Sequence, residues 1–200
     1  MRAERETRAL PGYAFVDHVG LSVPDLDAAV EFFIAVFGAR ELYRSSRRGE
    51  GRFMTETFEA SPDSSFTLAM LRLEPNLNLE LFQWEAPDRR VEMPKASDVG
   101  GHHVCVYVDD VEGAYERLRR FPGVRVLGDL KTVGPGSPVS GTRWTYFVTP
   151  WGLQVEIVPV RSREPTRLRG AAKVSQLLEV RDLSVEFRPW SASGAPASRR

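Results

Sequence analysis

From Phe15 to Val23 the chain alternates with period two. Val19, Leu21 and Val23 fall on one face and His18, Gly20 and Ser22 on the other, which predicts a strand with one buried side. Pro24-Asp25 ends it. The period then changes: Leu26, Ala29, Val30, Phe33, Ile34 and Phe37 form the apolar stripe of an amphipathic helix. Asp25 or Asp27 is placed to cap its start, and Gly38 sits where a C-terminal glycine belongs. Strands follow near Arg40–Ser45, Phe66–Leu73 and Leu77–Trp84, and the stretch rich in Ser, Arg and Gly between the first two reads as a loop. The order is strand, helix, three strands.

That order is then repeated. His103 to Val108 is a strand with Val104, Val106 and Val108 on its apolar face, and Val111 to Phe121 a helix stopped by Pro122-Gly123. Strands are predicted near Val124–Leu127, Arg143–Thr149 and Leu153–Pro159. Gly134 to Pro138, with two glycines and two prolines, is a loop. The repetition reaches individual residues. His18 to Glu31 aligns without gaps on His103 to Glu116, 85 residues later, and the closing strands Asn78–Phe82 and Gln154–Val158 each carry a central glutamate. The chain divides into a lead-in (1–12), a first βαβββ module (13–97), a second (98–160) and a partly disordered C-terminal extension (161–200).

Strand parity singles out four residues. His18, Glu80, His103 and Glu156 each lie opposite the apolar residues that pack beneath the helices, so none can be buried there without flipping its whole strand. One strand histidine or one edge glutamate is ordinary. Four at matching places in a duplicated pattern form a ligand set for a divalent ion such as Zn, Mn, Co, Ni or Fe. A Lewis acid there calls for a small oxygen-bearing substrate, with Glu156 or Glu80 moving a proton on the carbon beside its carbonyl. Parity turns His102 away and puts Cys105 on the metal-facing side, two residues from His103, as lining rather than ligand. Phe82, Tyr107, Trp144 and Tyr146 are candidate walls. Ser45 to Arg52 reads as a solvated loop, and Glu59 and Asp63 are secondary acid/base candidates.

The bulk composition narrows the partners. Two hundred residues suit one domain or two small modules sharing a core, and 27 acidic against 27 basic residues leave no net field to attract nucleic acid or anionic lipid. A single cysteine excludes an intramolecular disulfide. Met1 to Thr7 is charged and lacks the apolar run expected of a signal peptide, and no apolar run approaches the roughly 20 residues of a membrane helix. These features point to the cytoplasm, with no membrane partner.

The doubled His-Val-x-Val/Leu-x-Val-x-Asp opening, with a glutamate in each closing strand, resembles the vicinal oxygen chelate superfamily. That group includes glyoxalase I, methylmalonyl-CoA epimerase, extradiol dioxygenases and bleomycin-resistance proteins. The resemblance covers Tyr13 to Val160. It implies an α+β fold in which two βαβββ modules form a cup-shaped mixed sheet around a divalent metal, with helices on the outer face and His18, Glu80, His103 and Glu156 as ligands. It implies a metal-dependent epimerase or isomerase, or a lyase, of the glyoxalase or methylmalonyl-CoA epimerase kind. An extradiol dioxygenase would need a further acid/base histidine, and a drug-sequestering protein would need no ligands. His18 and Glu80 stand 62 positions apart against 53 for His103 and Glu156, which fits an elaborated loop over the site, as in epimerases. Both modules on one chain allow a monomer to complete one site, although relatives often form homodimers. Leu177 to Phe187 looks like the opening strand of transporter ATPases, but no phosphate-binding loop follows it.

Overall fold

The structure, a computed structural model, describes residues 14–49, 51–75 and 77–160. The lead-in and the extension from residue 161, with its strand-like run, lie outside the described residues.

The first half holds β1 (His18–Ser22), α1 (Leu26–Phe37), β2 (Arg40–Arg48), α2 (Arg52–Phe58), β3 (Ser65–Leu73) and β4 (Leu77–Glu85). Its sheet runs β1-β4-β3-β2, with β1 parallel to β4 and the other pairs antiparallel. Asp25 caps α1 by accepting the Ala28 N–H at 2.9 Å. At the other end Gly38, at φ 68°, donates its N–H to the Ile34 carbonyl at 2.9 Å. The Leu26 N–H donates to Gln83 Oε1 at 2.7 Å, which pins the start of the helix to β4.

The loop expected after β2 is corrected by the structure: β2 continues to Arg48, and α2 follows. Met54 on α2 is fully buried against Phe66 and Leu68, with Phe53, Phe82 and Trp84 packed around them. Gly51 supplies no side-chain cap to α2. Seven residues are too few for a helix to hold by propensity alone, so this apolar contact is what sustains it. It also explains why β3 is buried on both faces.

The second half holds β5 (His103–Val108), α3 (Val111–Arg119), β6 (Arg125–Val126), β7 (Lys131–Thr132), β8 (Arg143–Val148) and β9 (Gln154–Pro159). Its sheet runs β5-β9-β8-β6, with β5 parallel to β9 and β7 paired on β8. Asp110 caps α3 through the Gly113 N–H at 2.9 Å. The two-residue β7 was not among the expected strands.

The two halves meet through their helices. One core contains α1, Val111 and Leu118 of α3, the inward residues Leu71, Leu79 and Leu81 of the first sheet, and Phe147, Val155 and Ile157 of the second. Phe32 crosses between the halves, edge-on to Phe121 at 5.6 Å and to Trp151 at 5.2 Å. The helix side of each sheet therefore points into this shared core, and the opposite side of each faces away from it. No described helix is long and apolar enough to cross a membrane.

Candidate metal centre

Parity and register build the same local geometry twice. In the first sheet Gly20 stands opposite Glu80, so Glu80 lies diagonally across the ladder from His18, with Nε2 and Oε2 3.2 Å apart. In the second, Cys105 stands opposite Glu156, and His103 Nε2 lies 3.3 Å from Glu156 Oε2. The imidazoles are about two-fifths exposed and both carboxylates 19% exposed. Each pair sits on the sheet side turned away from the shared core, as strand alternation requires.

The surroundings of the pairs share a feature. Tyr43 on β2 is pushed above the usual phenol range by burial, then by Glu80 and Asp17. Tyr146 on β8 is pushed up by burial, then by Glu156 and Cys105, and its ring meets His103 edge-on at 5.2 Å. Each glutamate thus has a phenol nearby that stays protonated at neutral pH. Cys105 is an exposed residue whose sulfur is nevertheless partly withdrawn from water beside Glu156. Burial first, and then that carboxylate, push its thiol up to about 11. The neutral thiol is a poor nucleophile at neutral pH.

The donors suit a divalent ion in kind. His18 Nδ1 lies 2.8 Å from Asp17 Oδ2, a contact that orients the ring with Nε2 toward Glu80. Beside His18 in the ladder, Asn78 donates Nδ2 to the Asp17 carbonyl at 3.2 Å and leaves Oδ1 buried with no hydrogen-bond partner. Imidazole nitrogens and carboxylate oxygens in equal number fit Zn or a neighbouring first-row ion. The four residues are nevertheless two pairs and not one cluster: among the described residues no group of three or more His, Cys, Asp or Glu side chains stands close enough to hold an ion.

The remaining candidates disperse. His102 precedes β5 with Nδ1 3.0 Å from the Gly100 carbonyl. Tyr107 is 71% exposed. Phe82 and Trp84 wall the first sheet under α2, while Trp144 lies beneath the Lys131 ammonium at 5.0 Å. Of the Ser45–Arg52 stretch, Ser45 to Arg48 extend β2, and Arg52 opens α2 in an ion pair with Glu56 at 2.7 Å. Asp63 is exposed in a turn. Glu59 follows α2 and borders a cavity of about 1040 Å³ that the sequence did not reveal.

A family model described as the Glyoxalase/Bleomycin resistance protein/Dioxygenase superfamily matches residues 17–140. The chain is 48% identical over 158 residues, 79% of its own length and 86% of the relative's, to a 2-epi-5-epi-valiolone epimerase of Actinomyces sp. It is 30% identical over 128 residues, 62% of its length and 84% of the relative's, to an ethylmalonyl-CoA/methylmalonyl-CoA epimerase of Cereibacter sphaeroides. A glyoxalase family protein from Bacillus cereus shares the fold at a TM-score of 0.59 and 19% identity, over 76% of this chain and 98% of that one. The chain therefore belongs to the glyoxalase/bleomycin resistance protein/dioxygenase superfamily, as an epimerase-like member.

Proposed function

We propose that the chain is a divalent-metal-dependent epimerase that moves a proton on the carbon beside a carbonyl, and that its substrate is a polyhydroxylated cyclic ketone of the valiolone type. The observation that carries this reading is the duplicated His–Glu pair: two equivalent carboxylates, each next to an imidazole and a protonated tyrosine. The 48% identical valiolone epimerase supports the substrate class.

His18, Glu80, His103 and Glu156 would hold the ion. When bound, it supplies a Lewis acid that draws electron density from the substrate carbonyl and acidifies the neighbouring C–H. Inverting a stereocentre requires that a proton leave from one face and arrive on the other. Glu80 and Glu156, brought to opposite sides of that carbon, provide one base and one acid. Tyr43 stands near Glu80 and Tyr146 is within hydrogen-bonding reach of Glu156, so each carboxylate has its own protonated phenol beside it, and the aromatic wall under α2 excludes water from one flank.

The shared helix core keeps the pairs apart within one copy, so two copies are needed to join them. The proposed assembly is a two-fold dimer in which His18 and Glu80 of one copy face His103 and Glu156 of the other, giving two equivalent centres by symmetry. Among the described residues the outer edges of β1 and β5 have no strand partner, and the proposed contact uses them.

The test is solvent deuterium incorporation next to the carbonyl of 2-epi-5-epi-valiolone and of methylmalonyl-CoA, with chelator-treated and metal-restored protein. Exchange into the cyclic ketone that stops on chelation and returns with metal is the expected result. Exchange that persists after metal removal overturns the metal mechanism, and exchange only into the thioester overturns the substrate class.

A further inference from the structure

The cavity bordered by Glu59 lies between β1, the end of α2 and the segment 86–102, which brings Arg89 and Arg90 to it. Gly20 and Ser22 of β1, Phe58 at the end of α2, Glu59 after it, Trp84 of β4 and His102 line it. Gly20 connects this space to the chemistry, because it stands opposite Glu80 in the ladder on the same sheet side. A Cβ at Gly20 would meet only the edge of the Phe82 ring, at an ordinary 3.7 Å, and the residue has no positive φ. Neither packing nor backbone demands a glycine there. What the missing side chain leaves is a bare stretch of β1 that lines the cavity and neighbours Glu80 in the ladder. The corresponding position in the second sheet carries the Cys105 side chain.

Glu59 is the second unusual feature. It ends α2 at φ 53°, the one non-glycine residue with positive φ among the described residues. The equivalent place after α1 holds Gly38, the residue that accepts this conformation without steric cost. A glutamate there is strained, and its carboxylate compensates with no hydrogen bond or ion pair to any described residue. Next to it Phe58 and Trp84 present rings 5.2 Å apart at 73°. A solvent-exposed carboxylate with no partner among the described residues, beside an aromatic wall, on a cavity that reaches the strand next to Glu80, has the chemistry of a polyol site. Ring C–H faces lie against the aromatics and hydroxyls donate to the carboxylate.

We propose that Glu59 is a substrate-binding residue, selecting polyhydroxylated ketones by accepting hydrogen bonds from hydroxyl groups remote from the carbon that exchanges its proton, with Gly20 as the gap through which that carbon reaches Glu80. This rests on the epimerase reading above and adds to it a residue that sets specificity.

The test uses full-length metal-loaded protein and the substitutions Glu59→Gly and Glu59→Gln. Deuterium exchange is measured on the hydroxylated ketone and on its analogue lacking one remote hydroxyl, alongside Tm. Glu59→Gly relieves the backbone and raises Tm by about 2–4 °C. Its kcat/KM on the hydroxylated ketone falls about ten- to hundredfold, mainly through KM, while the deoxy analogue is turned over within about twofold of the unsubstituted rate. Glu59→Gln falls between. Equal losses on both ketones make Glu59 a merely structural residue and overturn the inference, as does full activity of Glu59→Gly on the hydroxylated ketone. If unsubstituted protein exchanges neither ketone, the epimerase reading fails. Calorimetric Kd values of the hydroxylated ketone for unsubstituted and Glu59→Gly protein then decide Glu59 separately: an unchanged Kd refutes the role and a weakened one upholds it.

Discussion

Replacing Phe32 by alanine probes the contact that keeps the two His–Glu pairs on opposite sides of one core. Phe32 is 4% exposed and its ring lies edge-on to four others: Phe33 at 5.8 Å, Phe37 at 6.2 Å, Phe121 at 5.6 Å and Trp151 at 5.2 Å. The first two belong to α1 and the last two to the second half. A buried Phe→Ala change costs about 3–5 kcal/mol, the lost transfer energy plus the cavity left behind. For a protein of this size that is a fall in Tm of about 6–20 °C. Phe32→Leu keeps most of the apolar volume and costs about 1.5 kcal/mol or less. Urea unfolding followed by far-ultraviolet circular dichroism, with calorimetry for Tm, reads both. A single cooperative transition is expected in the unsubstituted protein. A loss below about 1 kcal/mol for Phe32→Ala, or two separate transitions, would refute the reasoning, because halves that unfold independently do not share a core.

Met54→Ala removes the fully buried anchor of α2 and should cost about 2–5 kcal/mol in the same urea assay; a near-neutral result means that α2 does not depend on the apolar patch of β3. Cys105 supplies a pH test. Its thiol is raised to about 11, by burial and then by Glu156, so the neutral form persists through physiological pH. Alkylation by iodoacetamide should be slow at pH 7.5 and climb steeply only above about pH 10, with Glu156→Gln moving the rise to lower pH. Rapid labelling at pH 7.5 contradicts the proposed surroundings of Glu156.

Much of this fold was readable from local pattern because local physics decides it. The alternation around His18 and His103, the Asp25 cap and the αL glycine at Gly38 are each set within a few residues, and all appear where expected. The diagonal His–Glu contacts follow from parity plus one register in each half. α2 was missed because Gly51 offers no capping side chain and the helix stands on contacts with Phe66, Leu68, Phe82 and Trp84, beyond any sequence window. The apolar run in β3 was the available clue: Phe66, Leu68 and Met70 alternate with Ala69 and Leu71, so both faces demand cover. The division of the four candidate ligands into two pairs was not legible. It depends on how α1 packs against the second sheet through Phe37 and Phe147, a tertiary choice that leaves strand parity unchanged. Glu59 was visible only as a carboxylate near a strand; its φ and the cavity beside it are properties of the folded chain.

The central claim is that His18 and Glu80 of one copy and His103 and Glu156 of another hold a single ion. Native mass spectrometry of co-expressed His18→Ala and His103→Ala chains, told apart by mass tags, tests it directly. The account predicts two ions on the unsubstituted dimer, none on either variant homodimer and one on the mixed dimer, which regains one intact centre; a randomly mixed sample then shows about a quarter of the unsubstituted exchange activity. A mixed dimer that holds no ion and shows no activity, or an unsubstituted monomer that binds one ion unaided, would contradict it.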